Sequence, residues 1–488
     1  MKNNASYCKF KIAIIGAGIS GLCMAINLLK AGFKEITIFE QTDDIGGTWR
    51  DNTYPGLVCD VPAKLYSFSF EQNPNWSKRF VGQEEILAYL KSCAHKYHIY
   101  PLIKFNTAVS EVFFQEEMKL WLLKTNSGKE EYFNIIINAV GQLNIPYTPE
   151  IAGQSDFRGT SFHSSRWDHS HNFSKENVAV LGTAASAIQF IPAISTKVDQ
   201  LYIFQRSPNW IMLSRNPTLS NFNKWLSKRF PIFLKMQRFI IWAFYETRLS
   251  FFRNKILNKI TIWYVLFFMH RDIKDRSLRH VLTPDYPFGC KRVLRSNNYY
   301  PTLTKKNVHL VTSPIHHFTA DGITTNDGKH YKVNTVIYGT GFKGAEFLAP
   351  MKIYSRNGVD LNKIWDNGIY AYLGATIPTF PNFFILLGPN TFLGHNSVII
   401  MIEYQAAYII KLIRYLQDNN YAYLDLKEAT MAQWRQELGI SLDESVWANN
   451  CQSWHKDKSG HVVSIWPYST ITYWWRMREI NPSDYTFG

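Results

Sequence analysis

Residues 10–40 read FKIAIIGAGISGLCMAINLLKAGFKEITIFE. Residues 10–15 are short, continuous and β-branched, the pattern of a buried strand. Residues 19–31 read as a helix, and 35–40 as a second strand that ends in Glu40. Between strand and helix lies Gly16-Ala17-Gly18-Ile19-Ser20-Gly21. The first glycine permits a tight turn, the second lets backbone approach a pyrophosphate, and the third lets helix pack on strand. The helix N-terminus then faces the phosphates. Glu40 follows about 20 residues on, where a ribose 2′-hydroxyl ligand is expected. The uncharged stretch 12–29 has the length of a signal peptide or short anchor. Its glycines instead suit a strand, turn and helix in series, and no cleavage site is evident.

A second unit of this kind starts at 177–181 (NVAVL), with a turn at Gly182-Thr183-Ala184-Ala185-Ser186-Ala187, a helix from Ser186 and a strand at 200–205. Two such openings predict two dinucleotide-binding domains in an α/β fold. Arg206 and Ser207 follow the later strand. A guanidinium there pairs with the 2′-phosphate of NADP, which an acid would repel. Between 221 and 271 glycine disappears, and Lys and Arg alternate with Trp, Phe, Ile and Leu at helical spacing, predicting a helical insertion. Its longest uncharged run, 260–269, is too short to span a bilayer. Strand patterns return at 308–312 and 333–338, and a long helix at 398–416.

The chain's 488 residues imply two or three packed units. With 46% apolar and 19% charged residues it is globular rather than disordered. Six scattered cysteines with no C-x-x-C pair argue against a disulfide framework or a metal site and fit a reducing cytosol. The net charge of +15 suits an anionic cofactor or an anionic membrane surface. No nucleic-acid module accompanies it, so nucleic acid is not an expected partner.

Further motifs carry a family resemblance. The run GGTWRDNTYPGLVCD from Gly46 to Asp60 resembles the long N-terminal fingerprint of Baeyer–Villiger monooxygenases. Residues 157–168 match that family's F-x-G-x-x-x-H-x-x-x-W-[PD] signature at every fixed position, with His163 read as a residue that positions the interdomain linker. Lys291-Arg292 before Tyr299-Tyr300 resembles the family's cofactor- and flavin-facing pair, with Arg295 as a nearby rival. Gly141 with Pro146, and Gly341 with Phe342, resemble the crossover strands between the domains. Gly388-Pro389-Asn390-Thr391 resembles the C-terminal FAD segment. Cys451-Gln452-Ser453-Trp454 is similar to a late motif of the hydroxyacetophenone-oxidising subgroup. Ala184 departs from the family's glycine, and its Cβ is expected to disfavour a positive φ beside the pyrophosphate.

The resemblance implies two Rossmann-like domains with a helical insertion. The FAD domain would comprise residues 1–150 and 339–488, the NADP domain 151–220 and 286–338, and the insertion 221–285. It implies oxygen insertion into a ketone, giving an ester or lactone through a C4a-peroxyflavin, with FAD and NADPH as cofactors. Arg292 would be catalytic, with Asp60 holding it. FAD would contact Gly16, Gly18, Ile19, Ser20, Gly21, Glu40, Gly47, Thr48, Trp49, Tyr54, Asp60, Val61, Tyr66, Gly341 and Asn390. NADPH would contact Gly182, Thr183, Ala184, Ser186, Ala187, Arg206, Ser207 and Lys291. Two other readings remain: an N- or S-oxygenating enzyme on the same scaffold, and a membrane-docked flavoprotein whose insertion is the docking surface rather than an active-site cap. The expected partners are a ketone or sulfide and O2, the expected location the cytoplasm.

Overall fold

The structure is a computed structural model that describes residues 10–344, 346–348, 350–448, 453–457 and 459–488. Its architecture follows from short β-branched runs that must be covered on both faces. Ile12–Ile15 is wholly buried and pairs in parallel with Ile36–Phe39 on one side and Ile135–Asn138 on the other. Phe383–Ile385, from the far end of the chain, completes one edge of this sheet and Ile103–Lys104 the other. The helix α1 (Ile19–Lys30) packs against one face with Leu22, Met24, Ile26 and Leu28 buried.

A second five-stranded parallel sheet repeats the arrangement around Asn177–Leu181, flanked by Gln200–Phe204 and Thr335–Tyr338. Thr160–His163 and Val308–Val311 form its edges. The helix α2 (Ala187–Ile194) follows Asn177–Leu181. The chain therefore crosses between the sheets twice, and the crossovers pair with each other where Pro146 bridges Phe342. Gly141 and Gly341, at φ +72° and +83°, turn the backbone at these points.

The 221–271 segment forms four helices: α3 (Asn221–Arg229), α4 (Pro231–Glu246), α5 (Leu249–Arg253) and α6 (Lys255–Asp272). Polar clamps tie them to the first domain. Arg238 donates to the carbonyls of Lys64, Leu65 and Ser67 at 2.8–3.1 Å. Glu246 accepts from Thr470 N at 2.6 Å and Asn396 Nδ2 at 2.7 Å. The helix α7 (Val398–Asp418) lies along α1, and α8 (Thr470–Met477) packs on α7. Cys23, Cys59 and Cys93 are free and buried. Cys290 is disulfide-bonded, where the spacing predicted a thiol.

Candidate active site

The first glycine turn is built for close backbone approach. Gly16 has φ +104°, and a Cβ there would lie 2.8 Å from the Ala139 carbonyl oxygen. A Cβ on Gly21 would fall 1.9 Å from Gly16 O, so only glycine lets α1 start against its strand. A Cβ on Gly47 would sit 3.2 Å from Gly18 Cα, which brings the 46–60 loop over the turn. Glu40 is buried and accepts from Ala17 N at 2.9 Å through one oxygen. Its other oxygen accepts from Thr42 Oγ1 at 2.8 Å and faces Arg50 at 3.3 Å.

From this turn a cavity of about 700 Å³ runs to the insertion. Gly16, Gly18, Ile19, Ser20, Glu40, Gly47, Thr48, Trp49, Tyr54, Asp60, Val61, Tyr66, Ser186 and Arg292 all line it. These residues fit FAD: backbone without Cβ at the phosphate end, an acid at the ribose end, and a fixed cation at the far end. A larger cleft of about 930 Å³ lies between 53–57, 82–85 and 167–174, and it contains neither Asp60 nor Arg292. Its size does not outweigh the chemistry gathered in the first cavity.

Arg292 Nη2 donates to Asp60 Oδ2 at 2.5 Å. Their side chains retain 31% and 29% exposure, facing the cavity they line. Burial pushes the Asp60 carboxyl up, but the Arg292 charge and hydrogen bond, with Arg295 beyond, outweigh it and hold the pKa below the usual value. Asp60 in turn raises the pKa of Arg292. The guanidinium also lies 5.6 Å from the Phe392 ring centre. His455, buried behind it, donates to or accepts from Ser464 Oγ at 2.7 Å. Burial, then the charge of Arg292, pushes His455 down to about 3, so it stays neutral.

The second turn repeats the first. Gly182 has φ +100°, and a Cβ there would meet Gly339 O at 2.6 Å. Thr183, Ala184 and Ala187 complete the turn into α2 but do not line the first cavity. Arg206 is exposed at the end of the next strand. Lys291 Nζ donates to Ser207 Oγ at 2.9 Å. Burial first, and then the neighbouring Arg206, lower the pKa of Lys291. Two cations and a hydroxyl thus converge, the arrangement that suits a phosphate dianion.

The backbone at Ala184 differs from expectation, and Asn390, Gly341 and Gly21 lie away from the cavity wall. Ala184 is not among the residues with positive φ, so its Cβ costs the turn nothing. Asn390 is spent internally: its amide donates to the carbonyls of Val462 at 2.9 Å and Ile465 at 3.3 Å, and it does not line the cavity. Gly341 serves the crossover rather than the cavity wall, accepting from Tyr147 N at 2.9 Å. Gly21 likewise acts through packing rather than contact. In the late motif, Cys451 and Gln452 lie outside the described residues, while the Trp454 ring lies 5.3 Å from Phe392.

His163 has the structural place expected of it, with Nδ1 2.8 Å from Ser165 Oγ and its ring 5.8 Å from Phe342 on the other crossover. Gln189 was not singled out from sequence. Its side chain bonds Tyr54 Oη at 3.2 Å and Val58 O at 2.9 Å, tying α2 to the 46–60 loop. No local pattern marks a glutamine whose partners lie 130 residues away.

A family model described as flavin-binding monooxygenase-like matches residues 9–343. The chain belongs to this family. Among its relatives it is 38% identical to a Baeyer-Villiger monooxygenase of Pseudomonas aeruginosa, covering 98% of this chain and 90% of that one. It is 36% identical to a Baeyer-Villiger monooxygenase of Streptomyces coelicolor, covering 97% and 92%. In structure, this flavin-binding monooxygenase-like protein superposes on OTEMO in complex with FAD and NADP with a TM-score of 0.88 at 28% identity. It superposes on oxidized steroid monooxygenase bound to NADP with a TM-score of 0.88 at 27% identity, and each comparison covers 98% of this chain and 99% of the other.

Proposed function

We infer that this protein is an FAD- and NADPH-dependent Baeyer–Villiger monooxygenase that inserts one oxygen atom of O2 beside a ketone carbonyl. The Arg292–Asp60 pair carries the reading, since it sets a fixed cation in the cavity that opens from the first glycine turn. FAD reduced by NADPH supplies the activated oxygen. The cavity's glycine backbone and Glu40 would hold FAD, and Arg206, Ser207 and Lys291 the 2′-phosphate of NADPH. Arg292 stabilises negative charge that develops on oxygen, where a preorganised cation in a dry site acts most strongly. Asp60 positions Arg292 and prevents an unpaired buried cation. Neutral His455 adds no competing charge. A product screen with ketones and sulfides under NADPH, read by mass spectrometry, tests this. Oxygen inserted into sulfides alone would favour a heteroatom oxygenase instead.

The assignment of 1–150 and 339–488 to FAD, 151–220 and 286–338 to NADP, and 221–285 to the insertion is proposed with it, supported by the two parallel sheets. A cytoplasmic location is proposed, supported by the three buried free thiols and opposed by the disulfide at Cys290. The insertion caps the cavity through Tyr245, Phe251, Phe252 and Thr261. On its outer side Phe222, Ile232, Phe239, Ile256, Trp263 and Phe267 are more than half exposed. We propose that this outer side rests on a membrane surface.

A further inference from the structure

At the insertion end of the cavity, three guanidinium groups, of Arg248, Arg292 and Arg295, face a single carboxylate, that of Asp60. Asp60 is taken by Arg292. Among the described residues neither Arg248 nor Arg295 makes an ion pair with an acid. Arg295 Nε and Tyr245 Oη are buried without a hydrogen-bond partner. Both arginines stack instead: Arg248 lies 3.6 Å from the Tyr245 ring centre and Arg295 5.2 Å from that of Phe80. A guanidinium stacked on a ring keeps its edge donors free, in the fork that fits a carboxylate. Burial lowers the pKa of Arg248 against the effect of Tyr245, with the charges of Arg295 and Arg79 adding to it, so an anion beside it would offset the solvation it has lost. The rest of the wall is largely apolar, with Phe251, Phe252, Ile260 and Phe288 beside Thr261 and Tyr264. The cofactors' own anionic groups have other seats, at the first glycine turn and at Arg206, Ser207 and Lys291.

We propose that the substrate is a ketone bearing a carboxylate at the end of an apolar body, and that Arg248 and Arg295 bind that carboxylate while Arg292 serves the carbonyl end. This rests on the monooxygenase reading above. The carboxylate forms no covalent bond; it orients the ketone and lowers KM.

The test uses the FAD-loaded full chain with NADP⁺ present and two matched pairs: 6-oxoheptanoate and 4-acetylbenzoate, each against its methyl ester. Binding is read by calorimetry and by flavin absorbance, and turnover by mass spectrometry. The acids should bind about 10- to 100-fold more tightly than the esters, the range for a charge-assisted hydrogen bond. Arg248→Gln should erase that preference by weakening the acids alone, and Arg248→Lys should restore part of it. KM for NADPH and ester binding should not change in either variant. Arg295→Gln gives a second reading should an Arg248 variant fail to fold. Acids that bind no better than esters overturn the proposal. So does an Arg248→Gln variant whose main defect is in NADPH affinity, because the arginines would then serve the cofactor. Tight acid binding with no oxygen inserted into any ketone would leave the anion site standing and sink the monooxygenase reading.

Discussion

At the scale of single residues, the decisive contrast is between Arg292 and Arg295. Both lie near Asp60, and sequence offered both as the catalytic cation. Only Arg292 reaches the carboxylate, at 2.5 Å. Arg292→Ala should therefore still let NADPH reduce FAD but should abolish oxygen insertion and release hydrogen peroxide, as followed by stopped-flow absorbance and peroxide assay. Ordinary product yield from this variant, or the same defect from Arg295→Ala, would reassign the role. The Asp60 pKa is lowered because Arg292 outweighs the burial that would raise it. A depressed carboxyl contributes its pairing energy above its unfolded pKa and loses it only as pH falls through the lower folded value. The pair should thus persist through the mildly acidic range, and Asp60→Asn should leave the acid limb of the pH–rate profile in place. A limb that vanishes with this substitution would mean Asp60 itself titrates there. At the other cofactor, Arg206→Ala should raise KM for NADPH about 10- to 100-fold and leave KM for NADH nearly unchanged. Equal effects would exclude a 2′-phosphate contact.

At the scale of elements, both glycine turns were legible because their constraint is local: a strand must reverse into a helix within six residues, and Cβ atoms have no room. Gly182→Ala should weaken NADPH binding while FAD content stays normal, since the added Cβ meets Gly339 O at 2.6 Å and the φ of +100° is itself strained for alanine. Fluorescence titration with NADPH, beside the flavin absorbance of the same preparation, separates the two. Ala184→Gly should give no gain in NADPH affinity, because Ala184 has no positive φ to relieve. A clear improvement would mean that Cβ crowds the cofactor directly. The helices of the insertion were legible as periodic, but their seating was not. Arg238, Glu246 and Gln189 find partners more than a hundred residues distant, and no spacing rule encodes that. At Asn390 the motif was legible but its internal bonding was not: the buried amide nitrogen donates to two backbone carbonyls that only the folded C-terminal segment brings near.

At the scale of the molecule, the insertion has two faces with different work. The inner face caps the cavity. On the outer face Ile256, Trp263 and Phe267 form one stripe along α6, with exposures from 54% to 71%, and Ile232, Ile240 and Phe244 are likewise exposed on α4. Residues three and four apart share a helix side, so such a stripe is one surface. Over 221–271 Lys and Arg outnumber acids ten to one. Lys228, Arg229, Lys235, Lys255 and Lys259 are exposed among the apolar residues. Pairing two such faces in a dimer would set like charges against each other, whereas an anionic lipid surface complements them. No helix among the described residues is long and apolar enough to cross a membrane, so the helices would lie in the interface. Each cation near an anionic surface contributes about 1 kcal/mol, and the attraction is screened by salt. The FAD-loaded protein should float with phosphatidylglycerol-containing vesicles, float less at high salt, and stay down with phosphatidylcholine alone. Trp263→Glu with Phe267→Glu should abolish flotation without changing turnover of a small water-soluble ketone, since neither side chain lines the cavity. A protein that ignores acidic vesicles, or that instead self-associates with rising concentration and loses this on the same substitutions, would assign the stripe to a protein interface and remove the membrane from its function.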